Sequence, residues 1–120
     1  MVEFSILQGM SISEIWGCEP GSDQIIFATA EGRRFRLCHH QECCEHVTVE
    51  DVCGDPSDIL KWPIYCAEER SSAGPEGHDS ATWTFYHLSG VGGSLDIRWL
   101  GTSSGYYSEK VEFEEIDPNP

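Results

Sequence analysis

Short stretches of alternating apolar and polar residues recur along most of the chain. Gln24 to Ala30, QIIFATA, is β-branched and aromatic, and Glu31-Gly32 is a two-residue link of the tight-hairpin kind leading into Arg33–His40. In that arm Phe35, Leu37 and His39 alternate with Arg34, Arg36, Cys38 and His40. One face is therefore mostly apolar and the other basic, then rich in metal-ligand types. Val47, Val49 and Val52 predict a strand over 46–53, and PIYCAEE another from Pro63. In the last third, Trp83, Phe85 and His87 alternate with Thr84, Tyr86 and Leu88, and Leu95, Ile97 and Trp99 with Asp96 and Arg98. Tyr107, Val111 and Phe113 then predict a closing strand opposite Lys110, Glu112 and Glu114.

Less regular segments punctuate these strands. Phe4, Ile6, Leu7 and Met10 have helix-like spacing that Gly9 cuts short, which predicts a brief turn packing Phe4 and Leu7 onto the core. A first strand is expected near 11–19, closed by the turn Glu19-Pro20-Gly21-Ser22-Asp23. Asp55-Pro56 predicts a short helix over Ser57 to Lys61, with Asp55 as its cap. Residues 71–79, SSAGPEGHD, read as an exposed loop and 117–120 as a flexible tail. About seven strands with one or two short helices and no βαβ alternation predict one mainly β (β-rich α+β) domain over 1–120. The expected architecture is a small antiparallel barrel or sandwich.

Charge narrows the choice of partner. Against 7 lysines and arginines stand 21 acidic residues, for a net charge of −14 and a pI near 4.4. Such a surface repels nucleic acid and anionic membranes, so neither is an expected direct partner. It favours a basic protein whose groove accepts a string of negative charge. Two acidic patches could do this: Glu42, Glu45, Glu50, Asp51, Asp55 and Asp58, and then Glu109, Glu112, Glu114, Glu115 and Asp117. No apolar run is long enough to span a bilayer and no secretion signal is evident, so a cytoplasm with reduced thiols is expected.

The densest chemistry lies in Cys38 to Asp55, which holds four of the six cysteines. His40, Cys43, Cys44 and Cys53 are zinc-type ligands, yet they do not form the two separated pairs usual for structural zinc. A thiolate–imidazole enzyme centred on His40–Glu45 is a further alternative, opposed by surrounding acids that raise thiol pKa values. Paired carboxylates such as Glu50-Asp51 read as surface charge, because strand neighbours face opposite ways. His87 reads as a packed histidine. Arg34 and Arg36 should share a face and could hold a small anion. No catalytic set emerges and no cofactor is expected, zinc being the one candidate.

Five motifs carry a resemblance over about Ile12 to Ile116. They are H-x-x-C-C-E (His40 to Glu45), V-x-x-E-D-V-x-G-D (Val47 to Asp55) and P-I-x-x-A-E-E (Pro63 to Glu69), then S-x-T-W-T-F-Y (Ser80 to Tyr86) and I-R-W with G-Y-Y-S-E (Ile97 to Glu109). The chain resembles a family of small acidic phage and prophage proteins of unknown function. That resemblance implies the cytoplasm of an infected bacterium and transfers no catalytic residue. With the charge, it sets up the leading expectation: a non-enzymatic antagonist of host defence, anti-CRISPR or similar. Such a protein would imitate DNA toward a basic nuclease or other nucleic-acid-binding protein. The alternative is an oligomeric sponge for a small nucleotide signal, using Arg34 and Arg36.

Overall fold

The computed structural model describes residues 2–117. Eight strands form two four-stranded antiparallel sheets. They are β1 (Ile12–Trp16), β2 (Gln24–Thr29), β3 (Arg34–Cys38), β4 (His46–Cys53), β5 (Ile64–Ala73), β6 (Ser80–Gly90), β7 (Gly93–Ser103) and β8 (Glu112–Ile116). The first sheet has the order β1-β2-β3-β8 and the second β4-β7-β6-β5. The result is a sandwich and not a closed barrel, with one strand more than the alternation predicts.

Period-two patterning explains the core. Ile25, Phe27, Phe35, Leu37 and Phe113 point inward from the first sheet, and Val47, Val49, Tyr86, Leu88, Leu95, Ile97 and Trp99 from the second. The predicted N-terminal turn is a 3-10 turn at Phe4–Leu7 that buries Phe4 and Leu7. Phe4 joins the two layers. Its ring lies 4.8 Å from that of Tyr86, 5.1 Å from Phe113 and 6.3 Å from Phe27. Phe35 stacks on Phe113 at 5.3 Å.

Local chemistry corrects several boundaries. β1 stops at Trp16 because Gly17 takes a φ of 77°, where a Cβ would come within 2.3 Å of the Gln24 carbonyl. β5 runs on to Ala73, pairing Ser71, Ser72 and Ala73 with Thr84, Trp83 and Thr82, so residues 74–79 alone form the loop. Serine and alanine supply ladder hydrogen bonds as well as any residue once a long neighbour is in register. Tyr107 is not part of the closing strand, which begins only at Glu112, because Glu109 turns inward and Ser108 Oγ accepts from the Lys110 amide. The short helix is a 3-10 turn at Pro56–Ile59, capped as expected by Asp55, whose carboxylate accepts from the Ser57 amide at 2.9 Å. Of the expected tail, Asp117 is exposed and 118–120 lie outside the described residues.

Candidate functional site

The structure divides the expected acidic surface into spent and free charge. On the outer face of β3 and β8, two arginines meet the second patch, and His40 stands beside them. Arg33 grips Glu115 through Nε at 2.9 Å and Nη2 at 2.8 Å. Arg36 Nε donates to Glu114 at 3.0 Å, and His40 Nε2 lies 3.1 Å from Glu112 and 3.3 Å from Glu114. The Arg36 and Arg33 bonds hold Glu114 and Glu115 below the usual carboxylate range. Glu109 is removed from the surface altogether. It is buried, and accepts from Thr82 Oγ1 at 2.7 Å and from Ser103 Oγ at 2.5 Å. Burial opposes its charge, yet the hydroxyls of Ser103, Ser80 and Thr82 prevail and lower its pKa.

Glu45 is the second correction. Its side chain is fully buried beneath the 40–45 loop, 2.7 Å from His39 Nε2. It also accepts from the Glu42 and Cys43 amides, each at 2.9 Å, while Gln41 Nε2 donates to the Cys43 carbonyl at 3.1 Å. The other His39 nitrogen, Nδ1, faces the Lys110 carbonyl at 2.7 Å. Both ring nitrogens thus face acceptors, which only the imidazolium satisfies. Burial works against that cation, but Glu45 and the Lys110 carbonyl raise the His39 pKa. The His39 bond, with help from the loop amides, pulls Glu45 down to about 2. Glu45 is therefore the anchor of the loop and no part of an acidic face.

Free charge lies along β4 and the turn after it. Glu50, Asp51, Asp55 and Asp58 are exposed, as is Glu42 on the loop before the strand. Adjacent strand residues normally face opposite ways, but a bulge between Val49 and Asp51 leaves both Glu50 and Asp51 in solvent. β4 is an edge strand. Its Val49 amide and carbonyl bond Ser22 O and Gly21 N, each at 2.8 Å, which brings the exposed acids of the 19–23 turn alongside. The cation on this ridge, Arg98, stands 4.0 Å from Asp51, with both side chains well solvated, a weak pairing. At the far end Asp58 packs over Gly92 and Gly93, with the exposed ring of Trp62 beside it. The sequence reading missed Trp62. Its sole signal was a tryptophan between Lys61 and Pro63, outside any alternating run.

The expected metal ligands do not assemble as a set. Cys43 and Cys44 are exposed with their sulfurs 2.8 Å apart, and Cys53 closes the other end of β4, roughly 23 Å from His46 at about 3.3 Å per residue. His40 turns toward β8, where its ring nitrogen, Cys38 Sγ and a Glu114 oxygen lie within 4.8 Å of one another. Among the described residues no imidazole hydrogen-bonds to Cys43 or Cys44, and Cys43 raises the Cys44 pKa.

Arg34 and Arg36 do share a face. Arg36 holds Glu114, and Arg34 lies 5.4 Å over the Trp16 ring. Two other arginines line a cleft of about 220 Å³ on the outer face of the second sheet. Its floor is the cross-strand row Arg70–Phe85–Arg98 beside Glu68–His87–Asp96. His87 is thus on the solvent side, 2.7 Å from Asp96, and not packed in the core. The sequence could not show this row, because it depends on the register of three strands.

A family model described as "Domain of unknown function (DUF7448)" matches residues 6–113. The chain belongs to that family. The match takes in β1 to β7, the β4 ridge and the His39–Glu45 anchor, and ends at Phe113 in the first residues of β8. No curated protein and no solved structure gave a match.

Proposed function

We propose that this protein is a non-enzymatic binding protein whose β4 ridge occupies the basic groove of a nucleic-acid-binding protein. One observation carries the reading: Glu50, Asp51, Asp55 and Asp58 are exposed and scarcely compensated, whereas Glu114 and Glu115 of β8 are each held by an arginine. Solubility alone does not require unpaired charge to collect on one edge strand beside an exposed tryptophan. Acidic side chains steer association with a basic groove, and Trp62 supplies an apolar anchor of the kind that dominates interface energies. The resemblance to small phage proteins supports a nuclease-type component of bacterial defence as the partner, anti-CRISPR action being one form. The setting would then be the cytoplasm of an infected bacterium. Changing Glu50→Gln, Asp51→Asn and Asp58→Asn together tests this. Capture of a basic nucleic-acid-binding protein should fall steeply, with the fold unchanged.

A second reading rests on the Arg70–Phe85–Arg98 row. An aromatic floor between two guanidiniums suits a small planar anion such as a nucleotide. Stabilisation by nucleotides that Arg70→Ala abolishes would favour it over the ridge.

A further inference from the structure

We propose that Cys38, His40, Glu112 and Glu114 form a zinc site that joins β8 to β3. The site is independent of the β4 ridge. β3 and β8 pair with Cys38 opposite Glu112 and Arg36 opposite Glu114, so the side chains at 38, 112 and 114 share the outer face. His40, two residues past Cys38, brings its ring onto the same face.

The distances suit zinc. Zinc–ligand bonds of about 2.0–2.3 Å in a tetrahedron put neighbouring ligand atoms about 3.3–3.8 Å apart. His40 Nε2 stands 3.1 Å from Glu112 Oε2 and 3.3 Å from Glu114 Oε2, and Cys38 Sγ stands 3.8 Å from Glu114 Oε1. Cys38, His40 and Glu114 already offer ligand atoms within 4.8 Å of one another, and a rotation of the Glu112 side chain from His40 toward Cys38 would complete the set around one ion. One thiolate and one imidazole select zinc over magnesium or calcium, which take oxygen ligands.

The surroundings complete the case. Arg36 Nε holds Glu114 Oε1 at 3.0 Å, which orients the carboxylate and leaves Oε2 toward the imidazole. Without an ion, Glu112 and Glu114 converge on the His40 imidazole, and only Glu114 also meets a guanidinium. With Zn²⁺, the Cys38 thiol loses its proton to solvent as the Zn–S bond forms. The charges of ion, thiolate, two carboxylates and Arg36 then sum to zero. Cys38 is buried and His40 half exposed, so an ion could enter from the His40 side. With four protein ligands the site is a staple and not a hydrolytic centre. It secures the edge strand β8 of the first sheet.

The test uses the full chain, zinc and cobalt(II). Native mass spectrometry after zinc loading and buffer exchange should show one ion per chain. Competition with a chromophoric chelator should give an affinity that Cys38→Ser and His40→Ala each lower by about tenfold or more. The Cys43→Ser/Cys44→Ser variant should keep wild-type affinity. Cobalt should show a thiolate-to-metal charge-transfer band that Cys38→Ser removes. His40 is exposed, so its variant carries the test even if Cys38→Ser fails to fold. Failure to retain zinc, or retention that survives His40→Ala and disappears with the Cys43/Cys44 variant, would overturn the assignment.

Discussion

At the scale of single residues, buried polar groups account for most of the order in the least regular part of the chain. His39 and Glu45 lie under the 40–45 loop as an ion pair, and the signs of their pKa shifts fix how stability depends on pH. Glu45, lowered from 4.5 to about 2, stabilises the fold above about pH 4.5 and loses that contribution as pH falls toward 2. His39, raised above 6.5, contributes fully below 6.5 and loses its contribution as pH rises through its folded value. Denaturant midpoints across pH should therefore peak between about 4.5 and 6.5. His39→Gln should flatten the alkaline side; an unchanged slope there would mean that another group sets it. Little of this was legible in the sequence. A glutamate in an acidic run looks like surface charge, and only the fold shows that Glu45 and Glu109 turn inward to donors.

At the scale of the elements, the strands were legible because period two is a local property. The hairpin of β2 and β3 and the strands β4, β6 and β7 follow directly from alternation. What alternation cannot supply is which strands become neighbours. The Arg70–Phe85–Arg98 row and the Cys38–His40–Glu114 cluster therefore appear only in three dimensions. The same limit hid the role of Phe4, which looked like one residue of a weak turn and instead packs against rings of both sheets. Phe4→Ala should cost about 3–5 kcal/mol, read as a lower denaturant midpoint with an unchanged slope. Gly101→Ala would put a Cβ 2.8 Å from that of Glu109 and 2.9 Å from its carbonyl oxygen. Displacing that buried carboxylate should cost about 1–3 kcal/mol.

At the scale of the whole molecule, the excess of negative charge is unevenly distributed. On the β3–β8 face Arg33 and Arg36 pair with Glu115 and Glu114, whereas the β4 edge carries its acids with little compensation. Sequence composition gave the sign and size of the charge but not this division, which depends on cross-strand partners. Trp62→Ala, at an exposed position, should leave stability within about 0.5 kcal/mol yet weaken partner binding by about 2 kcal/mol, some thirtyfold. The most direct measurement compares immobilised wild-type protein with the Glu50→Gln/Asp51→Asn/Asp58→Asn variant in capture from bacterial lysate. Captured proteins are identified, and their release by salt and by duplex DNA is followed. The account predicts a basic nucleic-acid-binding protein, held by the wild type, released by duplex DNA or by salt approaching about 1 M, and not held by the variant. Equal capture by the variant, or binding indifferent to both salt and DNA, would contradict it.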